Sequence, residues 1–504
     1  MRVLFFVAVL ISGICQSACA QLVTYPAPQC SELNQDYEVA VREKGGKWHP
    51  VATYLAQVAN MVGTTTLTEK SSFCYFDFAG EVEIRIKMLK GEIKQAKVRP
   101  VLNALNSVSG KNTYSFILKQ AANISVEING DIFHNLHLFA NALETFKPSN
   151  YKNVLFYGPG IHQVGDVVLT SGQTVFIAGG AIVQGRFIIS HAQDVTITGH
   201  GILTQLPTLR PLASKQQAVA NKRYAKGRTD AITVEFSKNI LISGIVVLPH
   251  KYTVIMGESK DVTIDNIKSF SFEGNGDGLD IFCSADIKIN RVFMRNSDDC
   301  IAIYGHRWDY YGNVKNITVQ NSVLWADVAH PILIGTHGDS VHPDTISGIV
   351  FQDIDILDQH ENQIDYQGCL ALNAGDDNLI QNIKFNRIRV DNIRKGQLVN
   401  LRVMFNRKYN TSAGRGIENV LFKDISYIGN KADISIIAGY DESRKIKNIV
   451  FENLSWNGML ISDTMPGKPG FYKTGDMSKM YIGEHVEGVK FIQLAKDDVA
   501  KIDE

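Results

Sequence analysis

Nine copies of one short pattern, all in the same orientation, constrain this chain more than any other feature. In each copy a polar or small residue precedes an alternating apolar triplet. It occurs at Asp194-Val-Thr-Ile, Asn239-Ile-Leu-Ile, Asp261-Val-Thr-Ile, Asp286-Ile-Lys-Ile and Asn316-Ile-Thr-Val, then at Gly348-Ile-Val-Phe, Asn382-Ile-Lys-Phe, Asn419-Val-Leu-Phe and Asn448-Ile-Val-Phe. From residue 239 onward the steps run from 22 to 37 residues, the range of solenoids and propellers. Propeller blades take ~40–45 residues and four strands each. Shorter steps of varying length fit a parallel β-helix, in which each turn buries Ile, Val, Leu and Phe against its neighbours and inserted loops project outward. An irregular β-sandwich is the competing reading, and nine copies of one pattern in one orientation are hard to obtain from it.

The repeat predicts a β-helical domain over residues 148–495. The segment before it, 21–147, reads as a small all-β domain. Val82, Ile84, Ile86 and Met88 alternate with Glu81, Glu83, Arg85 and Lys87, the period of a half-buried strand. Ile124, Val126 and Ile128 do the same before an Asn129-Gly130 turn signal. Such strands suggest a β-sandwich, with one piece, Val51 to Met61, reading as helical. The sandwich is expected to pack on the first rungs and cover the open end of the helix core. Residues 1–20 read as a secretory signal: Arg2, an apolar run from Val3 to Ile11, and Ala18-Cys19-Ala20 before the cut. That run is too short to span a bilayer, no later stretch is apolar enough to do so, and a secreted or periplasmic protein is expected.

Fifty-one basic residues balance fifty-one acidic ones, which argues against a nucleic-acid partner. Five cysteines follow the leader: Cys30, Cys74, Cys283, Cys300 and Cys369. Export permits a disulfide, and Cys30 with Cys74 is one candidate. No Cys/His cluster has zinc spacing, so no metal and no cofactor are expected.

Three carboxylates stand out by their place in the repeat. Asp277, in Asn275-Gly-Asp-Gly278, falls 16 residues after Asp261; Asp298 and Asp299, in Ser297-Asp-Asp-Cys300, fall 12 and 13 after Asp286. Consecutive rungs lie ~4.8 Å apart, so the three acids should meet. Inverting hydrolysis of a glycoside needs one protonated carboxyl to serve the leaving oxygen and one ionised carboxylate to activate water, with a gap of ~6.5–9.5 Å for that water. Crowding raises the pKa of one acid and keeps a donor available near neutral pH. The same residues suit a solvated turn or a calcium site. His330, 14 residues after Asn316, falls near the same column, where it would orient an acid or bind a sugar hydroxyl. Tyr304, His337 and Asp280 are further candidates for sugar contacts. Asp339 is a weaker one, and His306, Arg307, Trp308 and Tyr310 form an aromatic and basic loop beside the acids.

These residues resemble two glycosidase families. Asn275-Gly-Asp-Gly278 followed by Asp298-Asp-Cys-Ile-Ala-Ile303 is similar to the paired acidic motifs of the polygalacturonase family, glycoside hydrolase family 28, and Ala329-His-Pro-Ile-Leu-Ile-Gly335 resembles its Gly-His-Gly segment. The family's Arg-Ile-Lys motif has no match; Gly368-Cys-Leu-Ala-Leu-Asn373 stands in its place, with Arg402 and Arg407 on a later rung. The order of sandwich and helix is similar to the dextranase and isopullulanase family, glycoside hydrolase family 49. Phe76-Asp-Phe-Ala-Gly-Glu-Val-Glu-Ile84 looks like one of its sandwich strand pairs. Phe176-Ile-Ala-Gly-Gly-Ala-Ile-Val-Gln-Gly185 looks like an early rung shared by many such enzymes. The resemblance implies an all-β, right-handed parallel β-helix of the pectin-lyase type with an N-terminal β-sandwich. It also implies an inverting mechanism with Asp298 as acid and Asp277 and Asp299 holding the water. A polysaccharide or oligosaccharide is the expected substrate, a dextran-like α-glucan first and pectic galacturonan as the alternative. A polysaccharide lyase and a non-catalytic glycan-binding protein are the competing classes.

Overall fold

The computed structural model describes residues 21–101, 107–150, 152–205 and 230–494. The leader expected at 1–20 lies outside the described residues. From Val154 to Ile492 the chain winds as a right-handed parallel β-helix. One turn comprises strands Val254–Gly257, Lys260–Asp265 and Lys268–Phe270; the next comprises Leu279–Phe282, Ala285–Asn290 and Phe293–Asn296. Each strand pairs in parallel with its counterpart one turn on, so Val254 faces Leu279, Val262 faces Ile287 and Lys268 faces Phe293.

The repeated polar residue has a geometric cause. Asp194, Asn239, Asp261, Asp286, Asn316, Asn382, Asn419 and Asn448 all adopt φ between 54 and 59°. Asn and Asp enter this left-handed region most readily among residues with a side chain, and Gly348, at φ 67°, shows why glycine substitutes in the ninth copy. The side chains then bond along the helix axis. Asn316 Nδ2 donates to Asp286 Oδ1 at 2.8 Å, and Asn448 Nδ2 to Asn419 Oδ1 at 3.0 Å. The triplet's apolar residues fill the core. Its last four phenylalanines, with Phe491, form a stack of Phe351, Phe385, Phe422, Phe451 and Phe491 with centroids 4.7–5.2 Å apart, the spacing of the strands themselves.

The N-terminal region forms two sheets, a β-sandwich. One holds six strands, among them Thr53–Val62, Thr65–Ala79 and Leu136–Ala142. The other holds five, among them Tyr37–Glu43 and Val82–Met88. Val82, Ile84 and Ile86 point into the sandwich core, as their alternation predicts. Two expectations are corrected. The stretch Val51–Met61 is not helical: Thr53–Val62 is a strand, antiparallel to Thr65–Ala79. Its Tyr54, Ala56 and Val58 are buried in alternation. The helix formers Ala, Leu and Gln misled, and the tertiary pairing overrides propensity. The sandwich does pack on the first rungs, where Gly180 N donates to the Tyr75 hydroxyl at 3.0 Å, but its described contact runs along the helix flank and not over the helix end. Tyr54, Phe73, Tyr75 and Phe139 pack along the helix flank against Ile202, Val246, Phe270, Phe293 and Trp325, five successive rungs. The part of strand Thr65–Ala79 from Ser71 to Phe78 is therefore buried on both faces, which erases its alternation there.

Charged groups lock that seam. Arg295 is fully buried; it binds Asp327 at 2.9 and 3.1 Å and Asn135 Oδ1 at 2.9 Å, and lies 4.1 Å over the Trp325 ring. The five cysteines are all free; Cys30 is exposed while Cys74 is buried in the sandwich, so the candidate pair is not bonded.

Candidate active site

Asp277 lies in the turn between strands Lys268–Phe270 and Leu279–Phe282, and Asp298 and Asp299 lie in the same turn one rung later. The two turns are held in contact by backbone and hydroxyl bonds. Gly278 N donates to Asp299 O at 2.8 Å, Asn296 Nδ2 to Gly276 O at 3.1 Å, and Ser297 N to Ser271 Oγ at 3.0 Å. The glycines flanking Asp277 are required by this approach. A Cβ on Gly276 would meet Ser297 Oγ at 2.2 Å, and one on Gly278 would meet Cys300 O at 2.3 Å.

The three acids converge as the repeat predicts. One carboxylate oxygen from each lies within 4.8 Å of the others. The acids occupy adjacent turns of one face instead of opposite walls. Two oxygens at that distance suit a single water bound to both at about 2.8 Å. The same oxygens are also a hard donor set of the kind a divalent cation takes.

Electrostatics separate the acids. Asp277 and Asp299 are buried, and Asp298 is the most accessible of the three. Burial, then the Asp299 charge, pushes Asp298 up to about 7, despite bonds from Asn275 N and Asp299 N at 3.2 Å each. Burial raises Asp277 well above the usual carboxylate range, with Asp280, Asp298 and Asp299 adding repulsion. Asp280, on strand Leu279–Phe282 and facing outward from the core, is raised in the same way, by burial and then Asp299. His330 differs from its sequence-based placement among sugar contacts, because it is fully buried. Its Nδ1 meets Asp299 Oδ1 at 2.6 Å, its backbone N–H donates to the same oxygen at 3.1 Å, and its Nε2 meets the Tyr366 carbonyl. Burial alone would lower the His330 pKa, but the Asp299 carboxylate outweighs it and holds the ring at about 9. At neutral pH it is an imidazolium paired to Asp299.

Around the acids opens a cleft of about 620 Å³. Tyr304, His337 and Asp280 line it, together with Arg307 and Trp308. Tyr304 donates to Asp299 Oδ2 at 3.3 Å, and His337, lowered to about 3 by burial and then Arg307, packs edge-on against Tyr304. His306 and Tyr310 turn away: His306 Nδ1 meets Tyr310 O, and Tyr310 donates to Glu235. Asp339 is occupied in its own turn with Val341 N and His342. Arg402 and Arg407 are not among the cleft residues; its cations are Arg307 and Lys408. A larger cavity, about 840 Å³ and lined by Asn141, Asp265 and Arg389, lies in the sandwich seam away from the acids.

Sequence reasoning missed Tyr252, Glu361, Tyr366, Lys408 and Tyr409, which complete the cleft, and Met61 and Thr64, which the sandwich contributes. Tyr252 sits one rung before Asp277 at the same register, so counting would have reached it. The others arrive on inserted loops or from the sandwich, where no periodicity points to the site.

A β-helix carrying paired acids on adjacent turns beside a buried histidine defines a class of carbohydrate-active proteins, and sequence comparison gives the family. The profile of glycosyl hydrolases family 28 matches residues 168–464, and the chain belongs to that family. It is 28% identical over 244 residues to "Probable endopolygalacturonase D" of Emericella nidulans, covering 48% of this chain and 42% of the relative. It is 26% identical over 213 residues to "Polygalacturonase" of Juniperus ashei, covering 40% and 38%. The chain thus spans less than half the length of these curated relatives. Among solved structures, Dex49A from Penicillium minioluteum shares the fold at TM-score 0.55 and 14% identity over 92% of this chain and 96% of that one. Among the described residues no helix is long and apolar enough to cross a membrane.

Proposed function

We propose that this protein is an exported, inverting glycoside hydrolase that cleaves a polysaccharide or oligosaccharide. The observation that carries the reading is the convergence of Asp277, Asp298 and Asp299 within 4.8 Å at the floor of an aromatic cleft. Asp298, with a pKa of about 7, stays protonated long enough to serve the leaving oxygen. Asp299, ion-paired to His330, accepts the proton of a water held between it and Asp277. Tyr304 and His330 fix the Asp299 oxygens. Inversion follows from the family resemblance. A second reading is a retaining reaction, in which a donor and a nucleophile stand ~5–5.5 Å apart, a separation that the nearest oxygens of these acids also permit. The anomer released first separates the two.

For the substrate, pectic galacturonan is favoured over the dextran-like α-glucan that architecture alone suggests. Family membership and the polygalacturonase relatives support it, as do Arg307 and Lys408, two cations in a cleft otherwise rich in acids. The neutral glucan keeps one supporting observation. Strand Leu370–Ala374 presents Ala371 and Asn373 outward, with no cation where the family's basic motif stands. Incubation with both polymers and assay of new reducing ends tests the choice. Cleavage of galacturonan with an untouched α-glucan is the expected result, and the reverse would reassign the substrate. A lyase would instead give an unsaturated product absorbing in the ultraviolet.

A further inference from the structure

A third cavity, about 420 Å³, lies beside the acid cleft. Its helix wall carries Gln184, Gln205, His250 and Phe272, and its other wall is the sandwich strand Thr53–Val62, through Tyr54 and Gln57. The far end of that strand supplies Met61 to the acid cleft. Beyond it the hairpin tip is tied to the helix, with Asn362 Nδ2 donating to Gly63 O at 3.0 Å. On the helix side His250 precedes the cleft residue Tyr252 by two positions, and Phe272 precedes Asp277 by five. The strand therefore runs beside both cavities as one wall. Gln205 and His250 follow strands that lie two rungs before those leading to Asp277 and to Asp298, respectively. Two rungs span roughly 10 Å, a distance covered by two to three sugar units.

The chemistry of this cavity is unfinished within the protein. The Gln184 side-chain oxygen and His250 Nδ1 are buried without a hydrogen-bond partner. Glu273 lies 3.6 Å from His250 Nδ1, too far for a hydrogen bond. A buried unpaired polar atom costs about 1–3 kcal/mol, so such atoms mark sites where a ligand supplies the partner. They flank an apolar floor of Ile202, Leu248 and Phe270. Polar hydroxyl-binding atoms around an apolar platform suit a sugar ring, which has one face of C–H groups and a rim of hydroxyls.

We propose that this cavity is a distal sugar subsite, holding the substrate chain two to three units from the bond that is cleaved, with the sandwich strand as one wall. The inference rests on the hydrolase reading above. The test compares kcat/KM on trimers and on oligomers of about six units, galacturonan and α-glucan series both, for wild type, the double variant Gln184→Leu/His250→Ala, and Gln57→Trp. Gln57 is exposed, so its replacement obstructs the cavity without entering a core. Both variants should lose about tenfold in kcat/KM on the long oligomers, through KM, and less than twofold on trimers. Equal effects at both lengths, or no effect at either, would overturn the subsite while leaving the hydrolase intact. A wild type that cleaves neither series overturns the hydrolase reading, and the subsite with it.

Discussion

Replacing Asp298 with Asn removes a proton donor and a buried charge at once, and the two losses have opposite signs. Without a general acid the rate should fall by about 10²–10⁴-fold. Stability should rise, and only in one pH range. The folded protein holds Asp298 at about 7 against an ordinary 3.8. A raised pKa means that folding favours the protonated form, so the stability it contributes is complete below about pH 4. That stability is lost as pH rises through about 7. Three pKa units at ~1.36 kcal/mol each give ~4 kcal/mol, and partial exposure of the side chain reduces this to about 2–4 kcal/mol. Asn cannot ionise, so the variant avoids that penalty. Thermal or denaturant unfolding at pH 5 and pH 9 measures it: the variant's advantage should be larger at pH 9 by most of that amount. An advantage equal at both pH values, or a variant less stable at pH 9, would show that burial does not hold this carboxyl up. Wild-type turnover by the Asn variant would remove Asp298 from the mechanism.

Other consequences follow from the same geometry. In the wild type kcat/KM should decline about tenfold per pH unit above about 7, as the Asp298 acid ionises; a flat profile to pH 9 argues against this donor. His330→Ala leaves Asp299 without its ion-pair partner. It should lower kcat far more than it raises KM, because His330 does not touch the cleft; a change confined to KM would place it on the substrate after all. Asp327→Ala strands the buried Arg295 at the sandwich seam and should cost about 3–5 kcal/mol in chemical denaturation, whereas a loss under 1 kcal/mol would mean the seam is solvated. Asn316→Ala should cost about 1–2 kcal/mol because φ is 58° there, and Asn316→Gly should recover much of that; equal losses would refute the left-handed argument.

The legibility of this chain follows from where its periodicity lies. The β-helix is written in positions such as Asn316 and Asn448, because a left-handed turn limits the residue type and recurs once per rung. The acid cluster was readable for the same reason: Asp277 and Asp298 occupy equivalent turns, so counting along the repeat brings them together. A second left-handed column runs through Asn266, Arg291, Asn321, Asp353, Arg387, Asp424 and Asn453; Asn and Asp prevail there too, but Arg interrupts it and no fixed triplet marks its place. The strand Thr53–Val62 was misread because its burial comes from partners far along the chain, Phe270 and Phe293 among them. The choice between the two roles read for His330 needed coordinates: sequence put it near the acids, and its burial against Asp299 favours orienting the acid over binding a sugar hydroxyl. Lys408 and Tyr409 arrive on a loop whose path no local pattern encodes.

The most direct test of the account is proton NMR of the products in the first minutes of cleavage of an α-linked galacturonan. A water activated between Asp277 and Asp299, with Asp298 donating from the same cluster, predicts that new reducing ends appear first as the β-anomer and then mutarotate. Reducing ends appearing first as the α-anomer would contradict that arrangement and make one of the acids a covalent nucleophile.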